Sequence, residues 1–172
     1  MDLGQHLRLM SGWHVWAFER LYAVVDDLSE EEYRRDAGLF FKSVHGTLNH
    51  MLLIEQMWAS RLAGDPKPPE TLADEVESDR ARLRARILAS AASWGEAIRA
   101  MSVADFSSDF TYRSMANTEH TLPRVSVIHT MFTHGAHHRG QVSTALTQAG
   151  KPAPEMDFPY YLLTKVTGSL HG

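Results

Sequence analysis

Cysteine is absent from this sequence of 172 residues. Its absence excludes disulfide bonds, thiolate metal ligands and a catalytic protein thiol, so a metal site would have to use histidine, aspartate or glutamate. Long apolar runs are also absent, since none approaches the roughly 18 residues that a membrane helix needs. The opening MDLGQHLRLM lacks the basic and apolar segments of a secretory signal. We therefore predict a cytoplasmic protein that does not associate with membranes.

An excess of positive charge is absent as well. Lys and Arg number 17 against 21 Asp and Glu, which gives a net charge of -4. No broad basic surface is expected, so nucleic acid is not a predicted partner. The composition, 44% hydrophobic and 22% charged, is that of a globular protein, and the length suits a single domain over residues 1–172. The sequence has no H-E-x-x-H, Glu-x-x-His, P-loop, G-x-S-x-G or dinucleotide-binding glycine motif.

Apolar residues recur every three or four positions along four segments of the chain, which predicts four long helices. These helices span about residues 2–28, 44–63, 74–101 and 123–150. Ser43 suits the beginning of the second of them, and Gly64 suits its end. The prolines that follow Gly64 predict a loop, because proline cannot continue a helix.

The connections between these helices carry further signals. Ser29 and Glu32 have the spacing of a capping box, which predicts a short helical turn. Residues 107–122 favour a short irregular hairpin, and Pro123 suits the first turn of the last helix. Three more prolines predict a mostly irregular tail: Pro152, Pro154 and Pro159. The whole order predicts an all-α four-helix bundle, with a long connection before the last helix.

Ten histidines are present, and the rotation of a helix separates those that face the core from those that do not. His134 and His138 are four residues apart and lie on the apolar face of the last helix. His137 falls at the edge of that face, and His129 lies on the opposite side. On the second long helix, His50 shares a face with apolar residues.

Two interpretations of the inward histidines compete. A single inward histidine is more often a hydrogen-bonded core residue than a metal ligand. Three together are harder to explain in that way, because each unpaired buried imidazole costs about 1–3 kcal/mol and a metal removes that cost. Three neutral imidazoles with an open fourth position form a centre of the catalytic zinc type. We therefore take His50, His134 and His138 as candidate metal ligands.

Other residues of the last helix are neighbours of this pair. Gln141 either orients a metal ligand or substrate, or is simply an amide at the helix edge. Arg139 points away from the predicted metal face, which favours a role in packing or at an interface. Gly135 and Gly140 each cost about 1 kcal/mol inside a helix, and a close approach of another helix would justify them.

Three stretches of the chain resemble the DinB family, the DinB/YfiT-like metal-binding four-helix bundles. HGAHHRGQVSTALTQAGKPAPEMD is similar to the closing helix and tail of that family, and WHVWAFERL to its first-helix motif. The stretch 43–62 resembles the family's second-helix pattern. Its matching residues are Leu48, His50, Glu55, Trp58, Arg61 and Leu62. The resemblance covers nearly the whole chain, although residues 65–122 match only in general helical character.

The resemblance implies that one histidine of the second helix and two of the last hold the metal, which here are His50, His134 and His138. The first-helix motif departs from the family, because His14 and Phe18 stand where asparagines are frequent. Two alternatives remain for His14, namely a contact with a metal ligand or substrate, or simple packing in the core. The resemblance identifies no catalytic residue.

The resemblance also implies a divalent metal, with zinc first and nickel second. It favours an enzyme of the thiol-dependent S-transferase type acting on a small molecule, with a low-molecular-weight thiol supplied from outside, and a hydrolase second. The alternative is a non-catalytic, stress-related bundle with a structural metal, which a fourth protein ligand such as His137 or His14 would favour. A homodimer is a further expectation from the family.

Overall fold

The computed structural model describes residues 1–169, with side chains to residue 165, and this part of the chain is mostly helical. The elements in chain order are α1 (Leu3–Val25), α2 (Glu30–Arg34), α3 (Val44–Leu62), α4 (Arg80–Ala100), α5 (Val103–Phe106), β1 (Asp109–Arg113), β2 (Glu119–Pro123), α6 (Arg124–Gln148) and α7 (Phe158–Ser169). No helix in the described range is long and apolar enough to cross a membrane. Because the other regular elements are helices, the all-α prediction is confirmed, apart from one small two-stranded sheet.

Four long helices enclose the core. Helix α1 packs against α4 and α6, and α3 packs against the same two helices. All four contribute fully buried side chains to one central cluster, which includes Phe18, Leu48, Leu52, Ile87 and Leu146. This arrangement brings the first half of α3 beside the middle of α6, where the candidate ligands lie.

The helix ends follow the signals in the sequence. The Ser29 side chain accepts a hydrogen bond from the Glu32 backbone N–H, and the Glu32 carboxylate accepts one from the Ser29 backbone N–H, so the predicted capping box is confirmed. Ser43 caps α3 through the backbone N–H of Gly46. Gly64 follows α3 with a φ of 77°, a left-handed conformation that glycine adopts without steric cost.

The predicted beginning of the third long helix is wrong. Helix α4 begins at Arg80, where the Asp79 side chain accepts a hydrogen bond from the Arg82 N–H. The residues before it run as an irregular segment along α3 instead. Asn49 binds both the N–H and the carbonyl of Glu77, which holds this segment out of a helix. The helical spacing alone could not reveal this side-chain competition for the backbone.

The hairpin before the last helix is confirmed. Strands β1 and β2 pair antiparallel, with Thr111 opposite Thr121. Pro123 precedes α6 in the N-cap position, one residue earlier than the predicted first turn.

The tail prediction is wrong beyond residue 157, because α7 is helical. Pro159 lies in its first turn, where proline needs no hydrogen-bond partner. Tyr161 of this helix is buried in a cluster with residues of α1 and α6. The loop before α7 is also fixed to α1, since Trp13 Nε1 donates to the Met156 carbonyl at 2.7 Å.

Candidate metal centre

The structure brings the three candidate ligands together. His50 comes from α3, and His134 and His138 come from α6, one turn apart. One ring nitrogen of each lies within 4.8 Å of the others. The Nε2 atoms of His50 and His134 are 3.2 Å apart. Two imidazole nitrogens bound to one tetrahedral zinc, each about 2.0–2.1 Å from the ion, would be about 3.3 Å apart, so the spacing of this pair fits a shared metal.

Hydrogen bonds to the outer ring nitrogens orient two of these imidazoles. His50 Nδ1 lies 2.8 Å from the Leu72 carbonyl oxygen, in the irregular segment before α4. His138 Nδ1 lies 2.7 Å from Gln141 Oε1. A carbonyl oxygen only accepts, so each Nδ1 carries the proton and each Nε2 offers its lone pair to the centre. Of the two alternatives for Gln141, the structure favours the orienting role.

The electrostatics of the centre keep its rings uncharged. Burial lowers the pKa of His50 to about 4 and that of His134 to about 3. Burial also lowers the pKa of His138, against the opposing effect of the hydrogen bond that its ring donates to Gln141. All three imidazoles are therefore neutral near pH 7, which is the form that binds a metal.

Phe41 forms one wall of the centre, which the sequence analysis missed. Its ring stacks on His50 with a centroid distance of 3.8 Å and an interplanar angle of 18°, and lies 5.8 Å from the His138 ring. Its carbonyl oxygen approaches α3 so closely that a side chain at Gly46 would clash with it. Its neighbour Phe40 is 81% exposed. The sequence signal that could have indicated this wall is the pair of adjacent aromatic residues, Phe40 and Phe41, which lies outside the predicted helices.

Neither of the two residues predicted as a possible fourth metal ligand, His137 and His14, joins the three-histidine cluster. His137 is exposed, and its Nε2 lies 3.1 Å from the Gln141 amide nitrogen. His14 is fully buried, and both of its ring nitrogens have other partners. Within residues 1–169, the group of side chains that could hold the metal here comprises three histidines. Three protein ligands leave the fourth position of a tetrahedral site without a protein ligand.

A buried polar triad lies next to the candidate metal centre and was not predicted from the sequence. It consists of His14, Glu55 and Arg139. His14 Nε2 lies 2.8 Å from Glu55 Oε1, and Arg139 Nη1 lies 3.0 Å from His14 Nδ1. Arg139 donates only, so His14 Nδ1 accepts and its Nε2–H donates to Glu55. Burial lowers the pKa of Arg139 to about 10, which leaves it charged at neutral pH and paired through His14 with Glu55.

The triad decides between the alternatives for two residues. Of the two alternatives for His14, the structure favours packing in the core, because the side chain has no exposed surface and faces no open space. Arg139 is 1% exposed, which agrees with packing and not with an interface. Gly135 permits the close contact, since a Cβ there would lie 2.5 Å from His14 Cε1. The triad therefore contacts α6 at Gly135, the residue that directly follows His134.

Fold and site together define a class of protein: an all-helical domain with a three-histidine cluster that could hold a metal ion. Comparison with known families agrees with this class. The family model described as DinB family matches residues 3–167, nearly the whole chain, and the protein therefore belongs to the DinB family. No curated protein and no solved structure matches the chain.

Proposed function

We propose that this protein is a DinB-type four-helix bundle that binds a divalent metal through His50, His134 and His138 and uses it in catalysis. The observation that carries the proposal is the convergence of three neutral imidazoles, two of them held by hydrogen bonds that direct Nε2 inward. Zinc is the first candidate for the metal and nickel the second, since both accept imidazole ligands.

The chemistry that fits this site is activation of a small nucleophile. A metal on three imidazoles with an open position lowers the pKa of a bound water or thiol. The protein has no cysteine, so a thiol would come from a second, low-molecular-weight substrate. Thiol S-transfer to a small molecule is our first proposal, and hydrolysis is the second. Phe41 would limit the access of water to the metal on the His50 side, and Gln141 would hold the His138 ring in the orientation that binds the metal.

An open coordination position distinguishes catalysis from a structural role. The test uses protein loaded with Co²⁺, whose absorption spectrum responds to a change of ligand, titrated with a small thiol. We expect a new thiolate-to-cobalt absorption band that saturates. An unchanged spectrum would contradict the open position and favour the alternative, a non-catalytic, stress-related metal-binding bundle, because a structural site is closed.

Two expectations remain predictions, a homodimer from the family resemblance and a cytoplasmic location from the lack of a secretory signal. A homodimer would be seen by analytical ultracentrifugation as twice the mass of the 19.4 kDa chain. A cytoplasmic location would be seen by fractionation of the cells that make the protein.

A further inference from the structure

Arg61, near the end of α3, is a buried cation that has no acidic partner among the side chains of residues 1–165. It is 8% exposed, and its guanidinium forms no ion pair with a carboxylate of the described residues. Its Nη2 donates to the Arg113 carbonyl oxygen at 3.0 Å. The guanidinium carbon lies 4.7 Å from the Trp58 ring centroid and 5.1 Å from that of Tyr112. Packing and one hydrogen bond thus fix the orientation of the group and leave its remaining N–H donors available.

Arg61 lines a cavity of about 840 Å³ between the β1–β2 hairpin and the loop at residues 64–70. The volume lies within the range of about 300–1,000 Å³ that is usual for small-molecule sites. Its exposed lining is more apolar than polar and includes Met115 and Pro68. The rings of Phe110 and Tyr112 also line it, and they lie nearly parallel, with an interplanar angle of 14°. None of the three cluster histidines lines this cavity, so it is separate from the candidate metal centre.

Two arginines line the cavity, and they differ in whether a carboxylate neutralises their charge. Arg113 pairs with Glu119 at 3.3 Å, which neutralises both. Glu70 also lines the cavity, but it forms no ion pair with Arg61. Burial lowers the pKa of Arg61, and the group that opposes this shift is the Tyr112 phenol, not a carboxylate. A desolvated guanidinium that lacks an anion at the edge of an apolar cavity is suited to a carboxylate ligand, which it can bind in a bidentate manner.

We propose that this cavity binds a small organic carboxylate with a flat apolar body. Arg61 holds the carboxylate, and the apolar body lies between the hairpin rings and the proline loop. The Arg61 fork is already positioned by the Arg113 carbonyl, so little side-chain entropy is lost on binding.

The test compares naphthoate with naphthamide, which has the same ring system but no charge, by isothermal titration calorimetry on the full chain. We expect saturable binding of naphthoate and binding of naphthamide weaker by about tenfold or more, since only the former makes a charge-assisted pair. Equal affinities, or no saturable binding of naphthoate, would overturn the proposal.

Variants locate the binding. Arg61→Lys keeps the charge but loses the planar fork, and should weaken naphthoate by about tenfold. Arg35→Lys, an exposed position outside the cavity, should leave it unchanged. Met115→Ala, which removes only an exposed part of the wall, should weaken both probes several-fold even if Arg61→Lys disturbs the hairpin. An effect of Arg35→Lys equal to that of Arg61→Lys, or no effect of Met115→Ala, would contradict the assignment.

A carboxylate could also bind a metal at the histidine cluster, so the titration is repeated with His134→Ala. Unchanged naphthoate affinity is expected if the ligand lies at Arg61. Loss of binding in that variant would place the ligand at the metal centre and overturn the proposal.

Discussion

Gly135→Ala tests whether the buried triad and the metal centre depend on one close contact. The new Cβ would lie 2.5 Å from His14 Cε1 and 2.9 Å from Arg139 Nη1. Both side chains are essentially inaccessible to solvent and hydrogen-bonded to each other, so neither can move freely away. Gly140→Ala is the matched control, because it lies on the same helix and a Cβ there meets no packed neighbour within 4 Å beyond the adjacent residues and the backbone of its own helix.

The two substitutions should have opposite signs. A Cβ 2.5 Å from a buried ring atom places Gly135→Ala in the upper part of the overpacking range, at about 2–3 kcal/mol. The better helix propensity of alanine offsets about 1 kcal/mol of this, which leaves a net loss of about 1–2 kcal/mol. For a chain of this length that lowers the Tm by about 2–8 °C. Gly140→Ala carries the propensity gain alone and should raise the Tm by about 2–4 °C.

Thermal unfolding followed by circular dichroism measures both effects, and chelator competition on the same samples measures metal affinity. Because Gly135 adjoins His134, its substitution should also weaken metal binding, while Gly140→Ala should not. If both variants were stabilised to the same extent, the tight packing of His14 against α6 would be refuted.

Two further predictions concern the ligands themselves. Gln141→Ala removes the acceptor from His138 Nδ1, and should weaken metal binding by about 10–100-fold in chelator competition, as loss of a group that orients a metal ligand does; affinity equal to the parent protein would show that this hydrogen bond does not orient the ring. In the metal-free protein, the pKa values of His50 and His134 lie near 4 and 3 when folded, below the ordinary value of 6.5. The unfolded chain therefore binds more protons, and the free energy of unfolding should fall as the pH drops from about 6.5 towards 4. Urea unfolding across that range should show a shallower fall for His134→Ala, and identical pH profiles would contradict neutral burial of this ring.

The fold was largely predictable because helix periodicity and capping are local signals. Ser29, Ser43 and Gly64 mark helix ends through contacts within a few residues, and the structure agrees at each. The segment before α4 was not predictable, because Asn49 competes for its backbone from 28 residues away. A contact of that kind leaves no trace in the spacing of apolar residues.

In the candidate site, too, the features set by a single helix were predictable, and the contacts between helices were not. Rotation of two helices selects His50, His134 and His138, since each is placed by its own helix. The His14–Glu55 contact requires knowing how two helices face each other across the core. The glycines show the difference most clearly: a close approach explains Gly135, as expected, whereas Gly140 faces open space and nothing in the structure explains it.

The central claim is that imidazoles from α3 and α6 bind one cation between them. The most direct measurement is elemental analysis of protein purified without a histidine tag, comparing the parent chain with His134→Ala and with His129→Ala, an exposed histidine of the same helix. We expect about one divalent metal ion per site in the parent and in His129→Ala, and a loss of metal in His134→Ala. Metal content unchanged by His134→Ala, or equally reduced by both substitutions, would contradict the account.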